Sequence, residues 1–254
     1  MKIDALILVG CGGTGSALVE PISRLLSFHE KGCSKVILID GDSFEEKNQV
    51  RQMFSPKFIG KNKAEALRDR IDFIKDVIVI PSYINGVDFQ ENVLGGIKDI
   101  KKKNVLIVTA VDNVATRLDL ITALDASKIP NFVLIDPGNG FDQGTVETSI
   151  KQKGKWITPH PLDKRPDIRK PEDVSPGGCA EQVPSTPQLL VANNSAANGV
   201  LLVLQALLDD LPFGEDLIFE CRNFRVGNSG KLWSVKDFQS KTANPKATKV
   251  VAKV

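Results

Sequence analysis

Along residues 1–135, short runs of consecutive apolar residues alternate with stretches whose apolar residues recur every three or four positions. Residues 3–9 form the first run, which ends in glycine. Residues 16–28 follow, with Ala17, Leu18, Ile22, Leu25 and Leu26 at helical spacing. Residues 35–39 are a second run, closed by Asp40-Gly41-Asp42. Residues 63–74 place Ala64, Leu67, Ile71 and Ile74 on one helical face. Residues 77–80 and 105–109 predict two further strands, residues 113–127 another helix, and residues 132–135 a fifth strand. Strands that alternate with helices build parallel βαβ units, and strands that are apolar throughout are covered on both faces. The pattern therefore predicts an α/β fold with a Rossmann-like, doubly wound, mostly parallel sheet.

The second half changes character. Residues 146–150 predict one strand of an antiparallel C-terminal extension. Residues 158–187 contain Pro159, Pro161, Pro166, Pro171, Pro176, Pro184 and Pro187, a composition that fits a functional crossover loop. Residues 188–208 carry the most apolar helical pattern in the chain and predict a buried helix. Residues 217–221 and 232–235 are late strand candidates. The tail 241–254 has four Lys and no acid, and mobility is expected of it. The chain thus reads as one unit over 1–240, with the Rossmann-like core at 1–140, the crossover at 158–187, and the helix and late strands at 188–240. No internal repeat and no signal-peptide pattern is visible. No apolar run approaches the roughly 20 residues that cross a bilayer, so no membrane partner is expected.

Composition narrows the classes. The chain has 254 residues, with 42% hydrophobic and 25% charged, as in ordinary globular proteins. Lys plus Arg number 33 and Asp plus Glu 31, a net charge of +2. Nucleic-acid binding through bulk charge is not expected. The cysteines are Cys11, Cys33, Cys179 and Cys221, with no C-x-x-C pair, and His29 and His160 are the only histidines. Neither a zinc knuckle nor a dithiol redox motif can be read, so no zinc is expected. Scattered reduced thiols fit a cytoplasmic protein.

The candidate chemistry begins at Gly10-Cys11-Gly12-Gly13-Thr14-Gly15, between the first strand and the first helix. Gly10, Gly12 and Gly15 satisfy G-x-G-x-x-G in the context it requires, and such a loop brings backbone N–H groups to a phosphate. Asp40 and Asp42 end the second strand, where an acid accepts hydrogen bonds from ribose hydroxyls. Up to this point NAD fits as well as ATP. Arg51 and Lys63 add two cations, and Asp112, after the fourth strand, adds a carboxylate. All three are expected at the carboxyl ends of the strands, which suits a triphosphate and Mg²⁺ held by oxygen ligands. Arg51 and Lys63 each have a plainer reading as surface charge, and Asp112-Asn113 as a helix N-cap, which is compatible with the site role.

In order along the chain stand the glycine loop, Asp42, Asn48/Arg51/Gln52, Gly60/Lys63, and Asp112/Asn113 followed by Arg117. This series resembles the ThiF/MoeB family, related to the adenylating domains of ubiquitin-activating enzymes, and covers about residues 1–140. Gly60-Lys61-Asn62-Lys63-Ala64-Glu65 and Gly178-Cys179-Ala180 look most like the ThiF-like members of PRTRC gene clusters. The resemblance implies ATP-dependent adenylation of a carboxylate, in most members the C-terminal glycine of a small ubiquitin-like or sulfur-carrier protein. It implies that Asp42 binds ribose, that Asn48, Arg51, Gln52 and Lys63 bind phosphates, and that Asp112 holds Mg²⁺. It implies a homodimer, although the chain starts almost at its first strand, so no partner arginine from an N-terminal helical segment is expected. Cys179 is the thiol the resemblance offers for a thioester, with an incidental packing role as the plainer reading. Other classes are adenylation of a tRNA-linked or small-molecule carboxylate, a non-enzymatic nucleotide-binding scaffold, and an NAD-dependent oxidoreductase. The last leaves Arg51, Lys63 and Asp112 without a common purpose.

Overall fold

A computed structural model of the chain describes residues 1–127, 129–166, 188–223 and 225–234. The Pro-rich crossover beyond residue 166, Cys179 within it and the tail 241–254 lie outside the described residues. The apolar runs become strands β1 (Ala5–Val9), β2 (Lys35–Ile39), β3 (Asp76–Ile80), β4 (Val105–Thr109) and β5 (Phe132–Asn139). Then come β6 (Gln143–Gln152), β7 (Lys155–Trp156), β8 (Phe213–Glu220) and β9 (Arg225–Trp233). The helices are α1 (Gly13–Phe28), α2 (Lys63–Arg68), α3 (Gly86–Asp88), α4 (Val114–Ala126), α5 (Pro161–Lys164) and α6 (Leu190–Leu208).

The sheet runs in spatial order β3-β2-β1-β4-β5-β6-β8-β9, with β7 paired to β6. β1 pairs in parallel with β2 and β4, β2 with β3, and β4 with β5. From β5 onward the neighbours are antiparallel. The chain order reverses between β1 and β4, which opens a crevice at the carboxyl ends of these strands.

Every residue of β1 is buried because the strand faces two cores. Leu6 and Leu8 pack on the side of α1 and α6, among Leu18, Ile22, Val203 and Leu207. Ala5, Ile7 and Val9 pack on the other side, among Phe89, Val93, Leu120 and Leu124. This is the two-sided coverage that unbroken apolar strands predict.

Several elements differ from the sequence reading. The helix expected over 63–74 ends at Arg68. Ile71 and Ile74 are still buried, but they sit in turns closed by Ile71 N–H to the Arg68 carbonyl and Ile74 N–H to the Ile71 carbonyl. Their spacing recorded burial and not continued helix. β5 runs on to Asn139 because Asp136 to Asn139 pair with Glu147 to Gly144 of β6. β8 starts at Phe213, ahead of the expected residue 217. β9 starts at Arg225, seven residues before the expected strand, as an exposed edge with no apolar alternation to announce it.

α6 also corrects the expectation that no segment reaches bilayer length. It is 19 residues long with mean hydropathy 1.3, enough by length and composition to cross a membrane. It packs instead along α1 and against β5, β6 and β8. Its close seat on the sheet depends on Gly199, where a Cβ would lie 2.7 Å from Val146 Cγ2 and 3.3 Å from Leu217 Cδ2. Gly199→Val should therefore overpack this interface and lower stability by about 1–3 kcal/mol, read from chemical denaturation; an unchanged midpoint would show that α6 is loosely seated.

Candidate functional site

The crevice is a cavity of about 1360 Å³. Of the predicted site residues that are described, all line it except Gly15. Gly15 acts one step back. Its α-carbon faces the Gly10 carbonyl so closely that a Cβ would stand 2.0 Å from that oxygen. Gly10 has φ +92°, and a Cβ there would meet the Ala110 carbonyl oxygen at 2.4 Å. The loop can thus wrap against the ends of β1 and β4 only with glycine at both positions. α1 begins directly after Gly12, which offers no side-chain cap. The first N–H groups of an uncapped helix need an acceptor from elsewhere, and an anion supplies one.

Asp40 and Asp42 divide the work. Asp40 Oδ2 accepts from the Cys11 N–H at 2.6 Å and Oδ1 from the Asp42 N–H at 2.8 Å. It fastens the glycine loop to the end of β2. Burial pushes its pKa up, against the pull of those two bonds and of Lys63. Asp42 reaches further into the cavity. Its Oδ2 accepts from Lys63 Nζ at 2.8 Å, and its Oδ1 accepts from the Tyr83 hydroxyl. Burial raises its pKa, but the bonds from Lys63 and Tyr83 with the charges of Lys63 and Lys47 outweigh this, and the net shift is downward. Lys63 is nearly buried at the start of α2. Asn62 caps that helix through the Ala64 and Glu65 N–H groups and donates to the Asp40 and Asp42 carbonyls. One short segment therefore fixes both the acid and its cation.

The Asn48–Gln52 segment lies across the mouth of the glycine loop. Asn48 is buried; its side chain accepts from the Glu45 N–H, and its carbonyl accepts from the Arg51 and Gln52 N–H groups. Ser16 Oγ accepts from the Met53 N–H, and Arg70 donates to the Ser16 and Met53 carbonyls at 2.7 Å each. These bonds hold Arg51 at the cavity wall, where its guanidinium has no acidic partner among the described residues. Gln52 is buried with its Oε1 unpartnered, an acceptor that needs a donor within the site.

Asp112 is exposed at the cavity edge, and its carboxylate makes no hydrogen bond or ion pair among the described residues. Asn113 caps α4 by accepting from the Thr116 N–H at 2.7 Å, so its plainer reading holds. Arg117 also lines the cavity, but its guanidinium is engaged in structural bonds: it pairs with Asp136 and donates to the Val111 and Pro137 carbonyls. Asp136 also accepts from Thr109 at 2.6 Å. That cluster joins the ends of β4 and β5 under the cavity floor.

Several residues escaped the sequence reading: Tyr83, Asp136, Asn139 and Asn193. Asn193 is a wholly buried amide on α6 that bonds Thr14, Asn139 and the Arg51 carbonyl. One signal was available, since Asn193-Asn194-Ser195 interrupt an otherwise apolar helix. The antiparallel half of the sheet supplies the rest of the lining, including Gly144, Thr145, Ile218 and Val226. The cavity is larger than the about 300–1,000 Å³ of ordinary small-molecule sites, and it spans both halves of the sheet.

Cys11, by contrast, is a packing residue: burial, then the Asp40 charge, push its thiol pKa well up. Burial likewise raises Cys33 to about 11. Among the described residues no three His, Cys, Asp or Glu side chains gather as a metal cage.

The ThiF family profile matches residues 4–159. Ubiquitin-like modifier-activating enzyme 5 of Caenorhabditis elegans is 24% identical over 224 residues, covering 85% of this chain and 49% of that protein. The protein of the same name from Dictyostelium discoideum is 30% identical over 224 residues, covering 83% of this chain and 54% of its own length. The chain thus spans about half the length of these relatives. Among solved structures, E. coli MccB with ATP has a TM-score of 0.62 at 18% identity, covering 90% of this chain and 64% of its own. PaaA has a TM-score of 0.59 at 16% identity, covering 91% and 64%. These two share the fold.

Tyr83 is the only tyrosine in the chain, so its ionisation can be read directly from tyrosinate absorbance. The hydrogen bond to Asp42, then partial burial and the charges of Asp42, Asp40 and Asp112, push its pKa up to about 12. Asp42→Asn should bring the midpoint down towards the ordinary value of about 10. A midpoint that does not move would show that Tyr83 and Asp42 are not bonded in solution.

Proposed function

Because the chain belongs to the ThiF family, we propose that it is an ATP-dependent adenylyltransferase that activates a carboxylate, the C-terminal carboxylate of a small ubiquitin-like or sulfur-carrier protein. The observation that carries this reading is the meeting around one cavity of a helix N-terminus with no side-chain cap, the guanidinium of Arg51 and the carboxylate of Asp112, the last two without an ion-pair partner among the described residues. A dinucleotide needs the first of these and leaves the other two unused. The part of the cavity lined by the antiparallel strands gives an acceptor tail room beside the nucleotide. Names among the relatives agree: ubiquitin-like modifier-activating enzyme 5, and MccB solved with ATP and with MccA. Within the family we place the chain with the PRTRC-type members, on the residue pattern over 60–65.

The residues fit the groups this chemistry needs. Asp112 alone would hold Mg²⁺, an ion that takes one or two carboxylates together with nucleotide phosphates and water. When bound, Mg²⁺ neutralises phosphate charge. Asp42 would take a ribose hydroxyl. Lys63 has three N–H donors, so it can keep Asp42 and also hold a phosphate oxygen. The acceptor carboxylate is ionised at neutral pH and needs no general base. Its oxygen bonds to the α-phosphorus, the bond from that phosphorus to the β-phosphate oxygen breaks, and pyrophosphate leaves. Arg51 and the first N–H groups of α1 stabilise charge on the phosphoryl oxygens as this happens. The same reading assigns thioester transfer, where it occurs, to Cys179 in preference to Cys11, which is buried, and Cys33, whose thiol pKa is raised to about 11.

Calorimetry with Mg²⁺ present should show binding of ATP and not of NAD; the reverse preference would overturn the reading. Asp112→Ala should keep its fold by circular dichroism. It should lose at least about 100-fold in acyl-adenylate formation, followed by mass spectrometry of the acceptor. Retained activity would remove Asp112 from the metal site.

A further inference from the structure

Asn193 is the one polar side chain on α6 that is completely buried, and such a group is costly unless each of its atoms is paired. Both its oxygen and its nitrogen are bonded, and the bonds point in one direction. Oδ1 accepts from the Thr14 hydroxyl at 3.4 Å and from Asn139 Nδ2 at 2.9 Å. Nδ2 donates to the carbonyl of Arg51 at 3.3 Å. A Cβ on Gly13 would stand 2.5 Å from Asn193 Nδ2, so the amide lies directly against the first turn of α1. Its partners therefore come from the glycine loop, the Arg51 segment and the end of β5, and Gly13, Thr14, Arg51 and Asn139 all line the cavity. Thr14 and Asn193 are 179 residues apart in sequence and Arg51 and Asn193 are 142 apart, so these contacts are made by the fold and not by the local chain.

Arg51 makes the consequence specific. With no ion pair to aim its guanidinium among the described residues, the direction of that side chain follows from where its backbone is held. The backbone groups of Arg51 itself make two bonds, its N–H donating to the Asn48 carbonyl and its carbonyl accepting from Asn193, while Ser16 and Arg70 hold Met53 two residues on. We propose that Asn193 is a positioning residue that locks Arg51 to the glycine loop, so that the cation and the N–H groups of α1 converge on the same phosphates. It touches no reacting atom in this scheme. Its effect on nucleotide rests on the proposed ATP reading, whereas its effect on the three segments does not.

The test has two arms on the full chain. Asn193→Leu keeps the branched shape and removes every hydrogen bond. Without nucleotide, hydrogen exchange should speed up about tenfold in residues 10–16 and in residues 48–54 together, while β3 and α2 stay as in the wild type. Unchanged exchange in either segment would overturn the lock. In the second arm, the affinity for ATP with Mg²⁺ is measured for Asn193→Leu, Arg51→Ala and the double variant. Each single change should weaken binding about tenfold, and the double variant should bind no worse than Arg51→Ala. Fully additive losses would overturn the route through Arg51. A wild type that binds no ATP would contradict the adenylation reading, and the exchange arm would still decide the lock. Should Asn193→Leu fail to fold, Asn193→Ser keeps the site polar with a side chain too short to reach the Arg51 carbonyl, and the same two readouts apply.

Discussion

At Gly10 and Gly15 the turn between β1 and α1 has room for backbone only. Gly15 lies against the Gly10 carbonyl, and Gly10 lies against Ala110 beyond the end of β4. That contact is possible because β1 and β4 are neighbours at the point where the strand order reverses. The contact starts α1 at the crevice with its N-terminus bare. Every other feature of the site is arranged around these free N–H groups. Asp40 ties the loop to β2, Ser16 and Arg70 tie α1 to the Arg51 segment, and Asn193 closes the ring from α6.

Charge is distributed with the same economy. Cations that must stay in place are held by acids: Arg117 by Asp136 under the floor, and Lys63 by Asp42 on the wall. Arg51 and Asp112, which face the open cavity, have no such partner among the described residues. An unpaired cation and an unpaired acid at one cavity wall are the groups to which a charged ligand with its counter-ion would bind most strongly. The two-sided core beneath them, with β1 buried on both faces, supplies the rigidity that lets short loops carry these groups.

Most of this was legible in the residues. Apolar runs located β1, β2, β4 and β5 because these inner strands, covered on both faces, leave few polar positions to confuse the pattern; β3, at the exposed edge, carries an apolar run all the same. The glycine loop, Asp42, Asn48, Arg51, Gln52, Lys63 and Asp112 converge as their order along the chain predicts. What escaped has physical reasons. β9 is an exposed edge strand, so no core selects apolar residues along it. Ile71 and Ile74 kept helical spacing in turns because burial alone sets that spacing there. Tyr83, Asp136 and Asn193 act through partners distant in sequence, 41 residues from Tyr83 to Asp42 and 179 from Asn193 to Thr14. Such pairings depend on the sheet order, which no local pattern encodes.

The central claim is that this cavity makes an acyl-adenylate. The most direct measurement is exchange of labelled pyrophosphate into ATP by the purified chain with Mg²⁺, in the presence of a small ubiquitin-like protein ending in glycine. Exchange that requires the acceptor's intact terminal carboxylate is the predicted result. ATP binding without exchange, for acceptors that are themselves folded and carry a free C-terminal glycine, would contradict it.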